Sequence, residues 1–484
     1  MKRTLFFLLS LVLALGLMQP RSVNAQENSP LAAATWTSKI AYMNPGSDSA
    51  DILITYYDET GNALPETNSI EDVPANGSGV VWVGATVRGS AVISSSSQVL
   101  AVYEQLPPLA EADQNYGRPL YTAMDASFAG GTIYLPNFYY EFVEKAGFFS
   151  TKTLKFTSTV GVQNITKAEV SVTISHNGTE LTTKSIPAQS SFIFTGSDLG
   201  LGTGFSDALV VTGPANSIVA AVETEQQNDE LNIGRRAFAY EGLSSNQSAQ
   251  KIILPRMSCS AYAKAPTTLF YIQATTDADA VVSVNFYTSA GIKVTPKYPL
   301  SFTDLAVSAG QRIVVDPCTD VRLRGKKGSA EIIATSGSIV AAGIEKDVYG
   351  LGTAFTGQTL PATASYRYMV PYVTWGKRSV DPRTYLYIQN IGTAVAATQI
   401  FYYNQDGTLA TLKNPSKYYA THRIYAIKSN NPYVARATRL SLFNGSAVII
   451  SNQPLVVTVR VQRTVSKLPG TRKLAEDYQG IYWP

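Results

Sequence analysis

The chain has 484 residues, of which 45% are hydrophobic, and a formal net charge of +4. An apolar run from Leu5 to Met18 and a small-residue site at Val23-Asn24-Ala25 predict that residues 1–25 are a secretory signal peptide. Cleavage would take the 39 basic residues to 36 against 35 acidic ones, a balance of +1 that excludes a strongly basic nucleic-acid binder. No later run has the length of a transmembrane helix. We therefore expect a secreted protein, extracellular or at the cell surface.

The residue inventory offers little for catalysis. His176 and His422 are the only histidines and lie in different parts of the chain, so a Ser-His-Asp triad or a multi-histidine zinc site is not expected. The glycine-rich stretches at 200–204 and 325–329 lack the helix that follows a phosphate-binding loop. The sequence predicts neither an enzyme nor a bound cofactor.

A hairpin pattern occurs four times along the chain. Each copy has a small-residue entry, an apolar strand, a polar turn and a second apolar strand, a composition typical of β-hairpins. The copies begin 117, 122 and 117 residues apart, at Gly89, Ser206, Gly328 and Gly445. This spacing predicts four units of about 115 residues, the size of an immunoglobulin-like domain.

A second signature lies upstream of these hairpins. An Asn or Ala is followed 12 and 13 residues later by two aromatic residues and 17 residues later by glycine, beginning at Asn44, Ala274 and Asn390. The pattern is typical of a strand that enters a tight turn. In the second unit the turn Asn177-Gly178 sits at a different offset, which predicts a short insertion there.

These patterns predict an all-β fold of four tandem immunoglobulin-like β-sandwiches. The segments between them are too structured in composition for flexible linkers, so we expect the units to pack end to end in a semi-rigid rod. The predicted sandwiches cover 26–108, 133–225, 251–346 and 368–463, with connecting segments at 109–132, 226–250 and 347–367 and a tail at 464–484.

The fourth unit carries four motifs in order: an aliphatic-proline opening at Met369-Val370-Pro371, a strand end at Ile388-Gln389-Asn390-Ile391-Gly392, a Tyr402-to-Gly407 strand and turn, and a hairpin at Gly445-Ser446-Ala447. In these motifs the chain resembles the exported β-sandwich repeat proteins of filamentous bacteria. The resemblance implies a surface location and a structural or adhesive role. It supplies no catalytic residues.

Two cysteines, Cys259 and Cys318, lie within the third unit. An even number of cysteines in an exported protein predicts one disulfide, here closing a loop of about 60 residues. Two free thiols are the alternative.

Other side chains suggest ligands less specifically. The oxygen-rich segments 404–407 and 277–279 could bind calcium, but a tight turn and a solvated loop explain them, and no metal site is predicted. The pairs Tyr139-Tyr140, Tyr402-Tyr403 and Tyr418-Tyr419 could stack on sugars, although tyrosine is also a common strand residue.

Charge is distributed unevenly along the chain. Residues 26–132 hold 12 acidic and 3 basic side chains (−9), whereas residues 368–484 hold 14 basic and 4 acidic ones (+10). Divergence between repeats would produce such a difference. A head-to-tail polymer would also use it, with the acidic first unit of one subunit against the basic fourth unit of the next.

The ends of the array suggest how such a polymer could form. Later units open with an apolar pair before Pro136, Pro255 or Pro371, and the same frame places the opening of the first unit at the predicted cleavage site. The first sandwich is therefore predicted to lack an opening strand, which the tail of another subunit would donate. The candidate donor residues are Tyr478, Ile481, Tyr482, Trp483 and Pro484. Alternatively, residues 26–36 supply the strand and the tail is frayed.

The predicted function is a secreted, non-enzymatic structural subunit that polymerises head to tail into an extracellular filament, sheath or surface layer. The alternative is a monomeric cell-surface adhesin or carbohydrate-binding protein that uses exposed tyrosine-rich loops. The expected partners are further copies of the chain or glycans.

Overall fold

A computed structural model describes residues 37–483 with internal gaps. The gaps are at 59–61, 84–88, 107–118, 125, 127, 146–152, 229–232, 261–265, 289–292, 295–301, 347–351, 360–365, 378–380, 414–418, 421, 429–431, 437–441 and 466–471. The predicted signal peptide, residues 26–36 and Pro484 lie outside the described residues. The all-β fold is confirmed: the described residues form antiparallel strands and two short 3-10 helices, Ser245–Gln247 and Pro317–Thr319.

The first unit forms two sheets, of strand order β4-β1-β6-β7 and β3-β2-β5. In β2 every second residue is buried, so one face of its sheet covers the core. The strands are β1 (Thr37–Met43), β2 (Ala50–Asp58), β3 (Ala63–Val73), β4 (Ser78–Val83), β5 (Gly89–Ser95), β6 (Leu100–Leu106) and β7 (Leu120–Thr122).

The second unit adds strands to the same plan. Its strands are β8 (Thr132–Tyr140), β9 (Phe142–Lys145), β10 (Thr153–Asn164), β11 (Val170–His176), β12 (Thr179–Ile186), β13 (Ser191–Thr195), β14 (Phe205–Thr212), β15 (Ile218–Asn228), β16 (Ile233–Glu241) and β17 (Leu243–Ser244). One sheet has the order β13-β10-β15-β16, with β9 on β10, and the other has the order β12-β11-β14-β8-β17.

The third unit again forms two sheets, β23-β19-β25-β26 and β18-β24-β20-β21, with β22 on β20. Cys259 and Cys318 are joined by a disulfide within this unit, as predicted. The strands are β18 (Lys251–Ser258), β19 (Thr267–Ala274), β20 (Ala280–Thr288), β21 (Lys293–Val294), β22 (Leu305–Val307), β23 (Arg312–Val315), β24 (Lys327–Ser336), β25 (Ile339–Lys346) and β26 (Gly352–Thr356).

The fourth unit has the same two strand groups, but a single β27–β28 pair, Trp375 opposite Arg383, joins them into one sheet of order β32-β29-β34-β27-β28-β35-β36. β33 pairs with β28, β37 pairs with β27, and β30 pairs with β31. The strands are β27 (Tyr366–Trp375), β28 (Arg383–Asn390), β29 (Ala396–Asn404), β30 (Leu412–Lys413), β31 (Tyr419–Ala420), β32 (His422–Ile427), β33 (Pro432–Arg436), β34 (Phe443–Ser451), β35 (Leu455–Val465), β36 (Arg472–Gln479) and β37 (Ile481–Trp483).

A signature asparagine ties together the start of the first, second and fourth units, and Ala274 takes its place in the third. The Asn44 side-chain amide donates to the backbone oxygens of residues 48, 73 and 74, and that of Asn390 donates to residues 394 and 427. Asn164 does the same in the second unit. The signature of this unit therefore begins at Asn164, and the turn at Asn177-Gly178 comes three residues earlier than in the first unit (14 residues against 17). The predicted insertion is wrong.

The expected end-to-end rod is also wrong, because the first and fourth units touch. The core of the fourth unit includes Ala41, Val102 and Leu120 of the first. The core of the first unit takes in Val219 and residues near it from the second, and the core of the second takes in residues of the third. The units thus share their apolar surfaces in a closed ring, which buries faces that a rod would leave in water.

Candidate functional site

The last strand of one sheet in each unit reaches a common centre. These strands, β7, β16, β26 and β36, lie in segments that the sequence assigned to connections and to the tail. Each carries a buried aromatic residue at the same register, opposite Tyr103, Val222, Gly343 and Val459 respectively. A polar residue follows each aromatic: the pairs are Tyr121-Thr122, Tyr240-Glu241, Phe355-Thr356 and Tyr478-Gln479.

The four polar residues, which we call the hub, form a cycle of hydrogen bonds. The Thr122 backbone N–H donates to Oε1 of Glu241 at 2.6 Å, and Oγ1 of Thr356 donates to Oε2 of the same carboxylate at 3.2 Å. Gln479 closes the cycle, because its side-chain amide donates to Thr356 and its backbone N–H donates to Oγ1 of Thr122 at 3.2 Å. The hub therefore links all four units through one ring of polar contacts.

Glu241 is the charged member of the hub. Burial raises the pKa of its carboxyl above the ordinary value, although hydrogen bonds from Thr122 and Thr356 oppose the shift. No ion pair with a described Lys, Arg or His reaches it. Glu241 thus places a desolvated carboxyl group, with no ion-pair partner among the described residues, at the point where the units converge.

A cavity of about 610 Å³ opens beside the hub. Thr122, Glu241 and Gln479 line it on the hub side, and segments of all four units complete it. Aromatic side chains form much of the remaining lining: Phe128, Tyr368, Tyr482 and Trp483. Tyr368 is buried and the other three are half-buried, so the cavity combines a polar region with an aromatic wall.

The predicted donor residues lie in this wall and are paired within their own chain. Ile481, Tyr482 and Trp483 in β37 stand opposite Met369, Tyr368 and Arg367 of β27. Tyr478 is buried, with its hydroxyl bonded to the backbone oxygen of Tyr372. The interpretation of the tail as a spare opening strand is therefore wrong, because the tail completes the sheet of its own unit.

The preceding units show the same arrangement. Leu243 follows Gly242 and pairs with Tyr134, and Gln358 follows Gly357 and pairs with Ile253. Ile481 follows Gly480 in the same way. The repeated aromatic-polar-glycine triplet at 240–242, 355–357 and 478–480 was the sequence signal that identifies these closing segments.

The opening of the first unit differs from the others. In the later units β8, β18 and β27 pair with β14, β24 and β34, but among the described residues no opening strand pairs with β5, the equivalent strand of unit one. Residues 26–36, the alternative source of that strand, lie outside the described residues.

Polar contacts close the ring between the first and fourth units. Lys39 forms an ion pair with Glu104 at 2.6 Å and donates to the Tyr372 hydroxyl at 2.8 Å. Although burial opposes it, Glu104 holds the pKa of Lys39 above its ordinary value. The backbone N–H of Ser78 donates to the oxygen of Gln405 at 3.0 Å. The acidic and basic ends of the sequence thus meet within one chain.

A buried ion-pair network joins the third and fourth units. Arg256 and Glu345 of the third unit face Arg460 and Asp477 of the fourth, and all four side chains are at most 6% exposed. Burial raises the pKa of Asp477 to about 6 even though Arg256 opposes the shift. Separation of the two units would divide this group, because Arg256 contacts Asp477 and Arg460 contacts Glu345 across the interface.

The other sequence candidates lie apart from the hub. His176 contacts Asp207 at 2.9 Å, and Arg312 of the third unit contacts the same carboxylate at 3.0 Å. Asp406 accepts hydrogen bonds from Thr408 in a turn that contains Gly407 at a positive φ. The described residues contain no group of three His, Cys, Asp or Glu side chains placed to hold a metal. The side chain of His422 is outside the described set.

The tyrosine pairs are strand residues for the most part. Tyr139 and Tyr402 are buried in cores, and their neighbours Tyr140 and Tyr403 are half-buried. Tyr418 lies outside the described residues. The exposed tyrosine-rich loops that the sequence suggested are therefore not found at the first two pairs.

Within the described ranges, no helix has the length and apolar character needed to cross a membrane. Comparison with models of known protein families and with curated proteins found no match.

Proposed function

We propose that the chain is an exported binding protein, without catalytic activity, that takes a small ligand into the cavity beside the hub. The observation that carries this proposal is the cavity itself, which is built from all four units and has a volume of about 610 Å³. Small-molecule sites have volumes of roughly 300–1,000 Å³, apolar walls and a few placed polar groups. The aromatic wall and the hub supply both kinds of surface.

The closed ring supports a binding role because it holds the lining in place. Gln358 of the third unit exchanges two hydrogen bonds with the backbone of Val457 in the fourth, at 2.6 and 3.0 Å. Tyr368 packs edge-on against Tyr482 with ring centroids 5.6 Å apart, and its hydroxyl donates to the backbone oxygen of Leu455. A site ordered before the ligand arrives loses less entropy on binding.

The filament hypothesis has less support. Its donor strand is paired within the fourth unit, and the units of opposite charge already meet in one chain. Size-exclusion chromatography and negative-stain imaging of the mature protein should give single-chain particles. Long filaments under the same conditions would restore the first hypothesis.

A cavity-filling variant tests the binding role. Ala123 lines the cavity, so Ala123→Trp should fill it, whereas Ala278→Trp places the same indole in an exposed turn and serves as the control. Thermal-shift screening of amines, sugars, nucleosides and short peptides should identify compounds that stabilise the wild type and the control but not Ala123→Trp. If no compound stabilises the wild type, or if Ala123→Trp responds like the control, the proposal is wrong.

A further inference from the structure

We infer that the ligand of this cavity is a small organic cation, with an ammonium group that contacts Glu241 and an apolar part that contacts the aromatic wall. The inference rests on the proposed binding function and adds the chemical class of the ligand. It depends on the charge of the cavity lining, on the contacts of Glu241 and on the hydrogen bonds that the other polar side chains of the lining already make.

The cavity has negative character. Glu241 is the one charged side chain among the described residues that line it, and no Lys, Arg or His does so. An anionic ligand would therefore meet a carboxylate and find no cation in the lining. The lining is therefore compatible with a neutral or a positively charged ligand.

Glu241 differs from the buried carboxylates at the unit interfaces. Glu345 and Asp477 both contact Arg256 and Arg460, and Glu104 contacts Lys39. Glu241 receives hydrogen bonds from Thr122 and Thr356 and no ion pair from the described residues. Burial of an ionised group costs free energy unless a charge of opposite sign compensates it. A ligand cation in the cavity would supply that charge.

The other polar side chains of the lining favour a cation over a sugar. Both ends of the Gln358 amide bond to Val457, and Oε1 of Gln247 accepts from the backbone N–H of Ser244 at 2.9 Å. A sugar requires several directed donors and acceptors, but the Gln358 amide and the Gln247 amide oxygen already bond to the protein. Glu241 is the one carboxyl group in the described lining, and no ion pair with a described residue compensates its charge.

The aromatic wall suits the same ligand. Phe128, Tyr368, Tyr482 and Trp483 offer ring surfaces in the same cavity as the carboxylate. Ammonium groups are attracted to the faces of such rings, and an adjoining hydrocarbon part would be removed from water against them. One carboxylate matches one positive charge, so a monocation is expected.

The test uses matched pairs of probes. Primary amines with a phenyl or alkyl group, 2-phenylethylamine among them, are compared with alcohols of the same shape, 2-phenylethanol among them, by isothermal titration calorimetry. The amines should bind the full chain at least about tenfold more tightly than their alcohols, since a charge-assisted hydrogen bond is stronger than a neutral one. Glu241→Gln keeps the shape and removes the charge, so it should abolish this preference. Glu180→Gln, at an exposed position of β12, should retain it.

The outcomes separate the two proposals. Equal binding of amines and alcohols, or a preference that survives in Glu241→Gln, overturns the ammonium inference and leaves the binding function standing. Binding of sugars or nucleosides in the cavity without binding of any amine would also overturn the ammonium inference and leave the binding function standing. Failure of every compound to bind the wild type overturns the binding function itself. Circular dichroism of Glu241→Gln should match the wild type, which excludes loss of fold as the cause.

Discussion

The network between the third and fourth units offers a quantitative test of the ring. Arg256 contacts Asp477 at 2.8 Å and also contacts Glu345, while Arg460 contacts Asp477 at 2.8 and 2.9 Å and Glu345 at 3.1 Å. Two cations and two anions therefore alternate in a group with almost no exposure. We expect the replacement Arg256→Met to leave the two carboxylates with a single guanidinium.

The expected cost follows from this imbalance. Removal of one partner from a buried ion-pair group destabilises a protein by roughly 3–5 kcal/mol, because an uncompensated charge stays buried. Methionine retains much of the packing against Phe355 and Tyr387, whose rings lie under the guanidinium of Arg256. The loss of stability in Arg256→Met therefore reports the missing positive charge more than a change in packed volume.

A double variant restores the balance. In Arg256→Met/Glu345→Leu the contacts between Arg460 and Asp477 remain, with one cation against one anion. Replacement of a buried pair by apolar residues is often neutral. The double variant should therefore be more stable than Arg256→Met alone, a non-additive result expected of groups in one ion-pair network.

Urea unfolding followed by tryptophan fluorescence supplies the measurement, with the midpoint and slope compared across variants. Lys155→Met is the control, because Lys155 and Glu141 form a partly exposed pair within the second unit, for which a cost below about 1 kcal/mol is expected. If Arg256→Met costs no more than this control, or if the double variant loses the sum of both single effects, the four side chains are not the closed group described above.

Three further results are expected. Burial raises the pKa of Asp477 in the folded chain to about 6, above the ordinary value of 3.8 for an aspartate. Its contribution therefore favours the folded chain at low pH and is lost as pH rises through about 6. The urea stability of the wild type should therefore improve relative to Asp477→Asn between pH 7 and 4, by up to about 3 kcal/mol, and an unchanged difference would contradict the burial of Asp477. Cys259→Ser/Cys318→Ser opens a loop with a sequence separation of 59 and should lose roughly 4 kcal/mol; linked peptides in a non-reducing digest check the bond, and two freely alkylated thiols would disprove it. Small-angle scattering should give a radius of gyration of about 23 Å for a compact chain of this length, whereas a much larger value would indicate a rod.

Local patterns were sufficient to predict many of the strands but not how they pair. The four predicted hairpins are wrong. The two strands of each pair with other strands and not with each other, namely β5 and β6, β14 and β15, β24 and β25, and β34 and β35. Alternating burial in β2 and β29 follows the alternation of apolar residues in the sequence, and the predicted strands lie where the small-residue entries placed them. These features depend on contacts between residues close in the chain or on one sheet face. The disulfide was predictable for a similar reason, since both cysteines lie in one unit.

The hub was not predictable from the same patterns. The triplet at 240–242 was visible in the sequence, but its meaning depends on Thr122, Thr356 and Gln479, which come from other units. Hydrogen bonds between residues more than a hundred positions apart leave no periodicity in a sequence. The charge state of Glu241 likewise depends on which cations the fold brings near it.

The sequence by itself determined an all-β chain with a repeated pair of apolar strands, one disulfide and an acidic beginning opposed to a basic end. Only the tertiary structure decided that these ends meet in the same chain and that β37 completes the sheet of the fourth unit. The physical reason is that a strand edge or an apolar face has no preferred partner until the backbone brings one within reach. In this ring the neighbouring units of the chain itself supply those partners, and their convergence leaves the cavity beside Glu241.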